Sequence, residues 1–157
     1  MSLEKVKAYL AKYHFEDRIE QFGDSTATVD EAAAVLKVHP DQIAKTLAFQ
    51  LKENPIVIVA EGSARVSNQK FKAFFHQRPK MVHHDDLPEV IGHEAGAVTQ
   101  FALKDNVQVF FDETLKKHDI LFPSAGSVDA AIRLSLSELE KLAKPVAWVD
   151  VAKEPEQ

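Results

Sequence analysis

The sequence predicts an α+β fold, a mixed β-sheet surrounded by helices. Three observations carry this expectation. Ile56-Val57-Ile58-Val59-Ala60 is a short, wholly apolar run of the kind buried in the middle of a sheet. Thr28-Val29-Asp30-Glu31 and Ser135-Leu136-Ser137-Glu138 are capping boxes, each opening a segment with helical spacing. Strand-like and helix-like segments interleave irregularly, which argues against a regular βαβ repeat. The chain has 157 residues, the length of one domain. We therefore expect a single domain over 1–157, with 152–157 as a loose tail.

The elements follow in order. Leu3, Val6, Leu10 and Tyr13 recur at helical spacing, so about 2–13 reads as an amphipathic helix. Thr28 opens an Ala-rich helix running to about Lys37, and Pro40 can start a short helical turn. Leu47, Phe49 and Leu51 alternate, giving a strand from Lys45 to Leu51. After Asn54-Pro55 comes the apolar strand 56–60. Ser67 or Asn68 caps a helix with Phe71, Phe74 and Phe75 on one stripe. Met81–His83 reads as a short strand and Pro88–Ile91 as a helical turn ending at Gly92. Val107–Phe111 and Ile120–Phe122 read as strands joined by a turn near Leu115. Ala130–Leu134 is another strand, Ser135 opens a helix to about Lys144, and Pro145–Val151 is a last strand.

Composition excludes several chemistries. There is no cysteine, so a disulfide scaffold, a thiolate nucleophile and a Cys-ligated metal are ruled out. No run approaches the ~18 apolar residues that span a membrane, and the first residues lack a signal peptide's apolar core. The net charge of −5 disfavours a protein that wraps a long duplex. That charge is uneven, however. Residues 62–84 hold Arg65, Lys70, Lys72, Arg78 and Lys80 and no carboxylate, so this segment carries +5 on a background of −10. Basic residues among aromatics can grip single-stranded nucleic acid. The same pattern also describes a helix with a solvated basic face and a phenylalanine core stripe.

Few residues look chemical. Lys45 shares its strand face with Leu47 and Phe49, so it must snorkel to water, find a partner, or sit as a cation at a pocket rim. Gly92 and Gly96 lie four apart in the segment Gly92–Phe101, which is either a plain turn or a loop presenting N–H groups to an oxyanion. Phe122-Pro123-Ser124-Ala125-Gly126-Ser127 reads as a tight turn without the spacing of a nucleophile elbow. The seven histidines show no metal-binding spacing, and His83 and His84, if on a strand, face opposite ways.

Three stretches, in this order, resemble the YbaK and prolyl-tRNA synthetase-associated editing-domain family. They are Ile43-Ala44-Lys45-Thr46-Leu47-Ala48-Phe49, the loop Gly92-x-x-x-Gly96-x-Val98-Thr99-x-Phe101, and Ser124-Ala125-Gly126-Ser127 with Ala131-Ile132-x-Leu134. The resemblance covers about Ala27 to Val151. It implies a partly barrel-like sheet and hydrolysis of the ester linking a wrong amino acid to tRNA. Lys45 and Gly96 would be catalytic. Thr46, Gly92, Ala97, Val98, Thr99, Gln100, Gly126 and Ser127 would bind substrate. Arg65, Lys70, Lys72, Arg78 and Lys80 would meet the tRNA. The implied mechanism is water attack assisted by a ribose hydroxyl, catalysed by positioning and needing neither cofactor nor metal. The implied partner is the acceptor end of a mischarged tRNA, in the cytoplasm, with transient association with an aminoacyl-tRNA synthetase and no role for DNA or membrane. Two departures stand out. Family loops often read Val-Ser-Pro-Phe-Gly where this chain has Val98-Thr99-Gln100-Phe101-Ala102, and cysteine-specific relatives carry a polar residue near Ala131. The departures at Gln100 and Ala102 leave open a non-catalytic module binding tRNA or an amino acid, the one at Ala131 leaves the amino acid unassigned, and an esterase for a small metabolite is a third reading.

Overall fold

The computed structural model describes residues 2–154. In chain order its strands are β1 (Ile19–Gln21), β2 (Ile43–Gln50), β3 (Pro55–Glu61), β4 (Gln108–Asp112), β5 (Ile120–Pro123), β6 (Ala130–Ile132), β7 (Leu134–Ser135) and β8 (Ala147–Val149). The helices are α1 (Ser2–Ala11), α2 (Val29–Leu36), α3 (Asn68–Phe75), α4 (Leu87–Val90) and α5 (Leu136–Ala143). The apolar run takes the central place expected of it, since every residue of β3 is buried. The sheet order is β7-β5-β2-β3-β4-β8. β2 and β3 pair antiparallel over Ala44–Gln50, while β3 with β4, β4 with β8 and β2 with β5 pair parallel. The sheet is therefore mixed. β1 and β6 form a separate antiparallel pair, and a bridge from Ser124 to Ala131 ties it to the end of β5, curling the assembly into a half barrel.

The alternation in β2 sorts its side chains between two cores. Ala44 and Ala48 join Val57, Val59 and Phe111 on the face covered by α1, α4 and α5. Leu47 and Phe49 lie on the opposite face with Ile56, Ile58 and Phe110, where α3 inserts Phe71. Phe71 is a core residue, Phe75 packs partly buried against that core, and Phe74 is half exposed. Both N-caps behave as read, but only the Ser135 box closes reciprocally, because Glu31 returns to the Thr28 hydroxyl at 3.0 Å and not to its N–H. Thr28 Oγ1 accepts the Glu31 N–H at 3.1 Å, and Ser135 Oγ accepts the Glu138 N–H at 3.1 Å. α2 and α5 end on Lys37 and Lys144 in the left-handed conformation.

Three expectations are corrected, and one strand was not foreseen. β1 has no counterpart in the sequence reading, because a three-residue edge strand with one half-buried residue leaves almost no periodic signal. Met81–His83 is not a strand. Only Met81 bridges Phe49, and His83 instead caps a 3-10 turn, with its ring stacked 4.3 Å from that of His84. The stretch 130–134 splits at Arg133 between two sheets. The expected tail is anchored over its first residues: Ala152 bridges Val66, Lys153 N–H donates to Arg65 O at 2.7 Å, and Glu154 pairs with Lys70. Residues 155–157 of that tail lie outside the described residues. No described helix is long and apolar enough to cross a membrane.

Candidate active site

The site begins with a gap in strand pairing. Ile43 and Ala44 pair with Phe122 and Pro123 of β5. At the other end of β2, Val82 N–H donates to Ala48 O at 3.0 Å and Gln50 N–H donates to Lys80 O at 2.8 Å. Between these contacts, Lys45–Leu47 has no strand beside it on that edge among the described residues. Backbone polar groups alternate in direction along a strand. Because Ala48 and Gln50 point theirs towards this edge, Thr46 does too, and its N–H and C=O face the gap.

The gap opens into a cavity of about 260 Å³. Ala44, Lys45, Thr46 and Ala48 form one wall, and Thr26–Val29 with Ala32 form a second. Gly96 and Val98 stand across from them, Ala130 and Ala131 close one end, and Met81, Val82 and Leu87 close the other. The lining is small and mostly apolar, with few hydrogen-bonding groups, the general character of a small-molecule site. Sequence reasoning missed the wall before α2 and the Met81–Val82 wall. The only available signal was a run of small residues next to a cap.

Lys45 is the cation of this site. It is half-buried, and its ammonium donates to the carbonyl of Ala64. Burial pushes its pKa below the ordinary lysine value, Arg65 adds repulsion, and Glu61 partly offsets both. Glu61 does not neutralise it by contact, because its carboxylate is held by Lys117 at 2.8 Å and His118 at 3.0 Å. Lys45 is thus a half-buried charge without a carboxylate partner among the described residues.

The glycine loop is a turn that leaves two of its N–H groups without a partner among the described residues. Ala97 N–H donates to Glu94 O at 3.0 Å, and Gly96 sits at the third position of this turn with φ +82°. That conformation belongs to glycine in a type II turn. A Cβ at Gly96 would also approach Val128 Cγ1 to 3.2 Å. The N–H of Ala97 is spent inside the turn. Those of Gly96 and Val98 have no hydrogen-bond partner among the described residues.

The other sequence-predicted residues fall into supporting places. Gly92 ends α4, donating its N–H to Leu87 O at 3.2 Å, and does not line the cavity. Ala97 is buried, and Thr99 is fully buried, donating to Ser124 O at 2.7 Å. Gln100 lies behind the cavity wall, where its Oε1 accepts the Thr46 hydroxyl at 3.0 Å. Gly126 packs under α1, so close that a Cβ would sit 2.9 Å from Ser2 O. Ser127 donates to Asp129 at 2.7 Å. These six residues brace the loops and do not line the cavity. Among the basic residues, Arg65 is exposed beside Lys45, whereas Lys70 is committed to Asp150 at 3.0 Å and Glu154 at 2.7 Å. Lys72, Arg78 and Lys80 are exposed, and Lys80 immediately precedes the cavity residue Met81.

His93 clasps the loop from inside. It is 1% exposed. Its Nε2 lies 2.7 Å from Phe101 O, which can only accept, so Nε2 carries the proton. Ser2 Oγ then donates to Nδ1 at 3.0 Å. Burial pushes its pKa below the usual 6.5, opposed by the bond to Phe101. The folded state therefore binds fewer protons than the unfolded chain below pH 6.5. The stabilisation from neutral His93 is complete above that pH and is lost as pH falls below it. We expect the stability gap between wild type and His93→Gln, measured by urea unfolding between about pH 5 and 8, to narrow towards the acid end. A gap that stays constant with pH would exclude a buried neutral imidazole.

The fold is thus a half barrel with a small cavity at an open strand edge, faced by a glycine turn and by a lysine without a carboxylate partner among the described residues. The chain belongs to the aminoacyl-tRNA editing domain family, whose model matches residues 24–142. It is 34% identical over 155 residues to the uncharacterized protein YwhH of Bacillus subtilis, covering 98% of this chain and 99% of that one. It is 31% identical over 90 residues to a proline–tRNA ligase of Kosmotoga olearia, covering 57% of this chain. The match spans 16% of that ligase's length. Among solved structures, a candidate trans-editing enzyme for prolyl tRNA synthetase superposes with TM-score 0.86 at 21% identity, covering 98% of each chain. The hypothetical protein APE2540 superposes with TM-score 0.83 at 24% identity, covering 95% of this chain and 99% of that one. These two likenesses establish the half-barrel fold.

Proposed function

We propose that this chain is a trans-editing aminoacyl-tRNA deacylase, a hydrolase that cleaves the ester joining a wrong amino acid to the 3′ end of tRNA. The observation that carries this reading is the cavity where the open edge of β2 at Lys45–Thr46 faces the Gly96–Val98 turn. Its size suits an aminoacyl group and not a whole nucleotide chain. Water adds to the ester carbonyl and the carbonyl carbon–ribose oxygen bond breaks. The ribose oxygen leaves with one proton of the water, the amino acid leaves as a carboxylate, and the water's other proton passes to solvent. A hydroxyl of the terminal ribose assists the water. The unpaired N–H groups of Gly96 and Val98 face the developing oxyanion, a contribution of ~10²–10³ in rate per donor. Lys45 supplies the cation that positions the acceptor end. Gly92, Ala97, Thr99, Gln100, Gly126 and Ser127 keep the two loops in place around Thr46. Arg65, Lys72, Arg78 and Lys80 meet phosphates near the cavity mouth, and Lys70 contributes only if its carboxylate partners release it. The chain acts as one domain in the cytoplasm, with transient contact to an aminoacyl-tRNA synthetase.

The test is release of amino acid from tRNAs mischarged with Ala, Cys, Ser and Thr on several acceptors, using the purified protein. We expect release well above the spontaneous rate for at least one ester. Spontaneous rates throughout the panel would overturn the reading. A second reading, a non-catalytic tRNA-binding module, is favoured by one observation: the Lys45 ammonium is bound to the Ala64 carbonyl. Tight binding of a mischarged tRNA without turnover would select it.

A further inference from the structure

The chain's last described residues are stitched onto the basic segment. Val151 and Ala152 are buried, and Val151 N–H donates to the buried carboxylate of Asp112 at 2.9 Å. Ser67 N–H donates to Val151 O at 2.7 Å, Ala152 bridges Val66, and Lys153 N–H donates to Arg65 O at 2.7 Å. This pairing starts directly after Ala64, whose carbonyl holds the Lys45 ammonium. It brings Asp150 and Glu154 to the Lys70 ammonium, at 3.0 and 2.7 Å. A second cleft, of about 800 Å³, opens where the two segments meet. Ala64, Arg65 and Lys70 line it from the basic segment, and Asp150, Lys153 and Glu154 from the chain's end. The other carboxylates of the cleft have partners of their own: Lys117 and His118 hold Glu61, Lys116 holds Glu113, and the Ser63 hydroxyl donates to Asp41.

We infer that this cleft receives a phosphate of the RNA backbone, and that Asp150 and Glu154 occupy its place on Lys70 in the free protein and compete with it. This rests on the deacylase reading, in which the acceptor end leaves the first cavity past Lys45. Carboxylate and phosphate oxygens offer an ammonium the same charge-assisted hydrogen bond, so one can replace the other. The Asp150 and Glu154 side chains are 64% and 80% exposed. Ion pairs that exposed contribute little and are screened by salt, so a phosphate can displace them. The exchange needs only side-chain rotation, because the bonds that join 65–67 to 151–153 are made by backbone groups. An acidic protein segment would meet the same cations. RNA fits better, because Ala64 joins the cleft to the cation of the first cavity, and only RNA also places its end there. The chain's own carboxylates therefore hold down its affinity for RNA and make the salt dependence shallow.

The experiment measures binding of an RNA minihelix ending in CCA, without an amino acid, to the full chain by fluorescence anisotropy between about 50 and 200 mM salt. The proteins are wild type, the double variant Asp150→Asn/Glu154→Gln, Lys70→Met, and all three substitutions together. The double variant should bind roughly threefold more tightly or better at the low-salt end. Its plot of log K against log salt should be steeper by about 0.7, the value of one further phosphate on a single strand. Removing two negative charges would raise affinity wherever they lay, so Lys70 decides the matter. Lys70→Met should cost roughly threefold more in the double variant than in wild type. A gain that Lys70→Met leaves intact, an unchanged slope, or no RNA binding by any of the four proteins would overturn the inference. Equal coupling with a polyglutamate peptide in place of the RNA would overturn the assignment to RNA. Amide exchange at Ser67 and Lys153 should be as slow in the double variant as in wild type, and fast exchange at both would exclude an exchange of side chains alone. The minihelix carries no ester. Coupling in a protein that releases no amino acid from any mischarged tRNA would therefore support the cleft and refute only the hydrolytic reading.

Discussion

Replacing Lys45 by alanine is expected to lower deacylation by roughly 10²–10³ in kcat/KM, the scale of losing one preorganised electrostatic contact in a site that excludes water. The reason lies in how the charge is kept. A lysine on the apolar face of a strand would normally reach solvent or a carboxylate. Here the ammonium rests on a neutral carbonyl, and the nearby carboxylate of Glu61 is occupied by Lys117 and His118. The half-buried charge is therefore free to answer an anionic or carbonyl-bearing ligand at the adjoining edge. Lys45→Met, which keeps the length and removes the charge, should lose nearly as much. Both variants should unfold near the wild-type temperature, because the side chain's one side-chain hydrogen bond is to a backbone carbonyl at the end of a turn. Full release of amino acid by Lys45→Ala, with the fold intact, would remove this residue from the mechanism.

The elements legible in the sequence were those governed by local rules. Thr28, Ser67 and Ser135 each cap the helix that follows, because a side-chain oxygen there meets an otherwise orphaned N–H within its own turn. β3 was legible because burial on both faces leaves no polar position in the run. The phase of β2 was legible too, which is how Lys45 stood out. What could not be read was set by distant partners. β1 exists because Ile19–Gln21 meets Ala130–Ile132, more than a hundred residues away. The cavity exists because β5 stops pairing with β2 at Ala44 and the Met81 segment resumes only at Ala48, and no local pattern encodes that interval. The glycine loop was singled out as a unit, and in the fold its residues divide between two places. Gly96 and Val98 face the cavity, while Gly92, Ala97 and Thr99 hold the loop from behind. The +5 segment was read as one basic face, yet Lys70 is bound to two carboxylates from the chain's end, whose approach only the tertiary structure reveals.

Gly62→Ala is expected to be the most damaging single methyl addition to this fold. Gly62 follows the last residue of β3, where the chain passes beneath the 3-10 turn Pro40–Gln42 and the start of α2. A Cβ there would lie 2.1 Å from Pro40 O and 2.7 Å from Val29 Cγ1. The side-chain contact can yield by a rotamer change, but the carbonyl contact cannot yield without moving backbone. Overpacking of this kind costs about 3 kcal/mol or more. For a chain of this size that lowers the melting temperature by about 10 °C. The damage should also reach the site, because both displaced segments serve it. Val29 lines the cavity, and Ala64, two residues beyond Gly62, holds the Lys45 ammonium. Thermal unfolding and steady-state deacylation measured together separate these effects, with kcat/KM falling even at temperatures where the variant is fully folded. Adding Val29→Ala removes the Cγ1 contact and leaves the carbonyl contact. The double variant should therefore recover only part of the lost stability. Complete recovery would mean that the strand and the turn are not held backbone against backbone, and that the cavity wall before α2 can move independently of the residue that anchors the lysine.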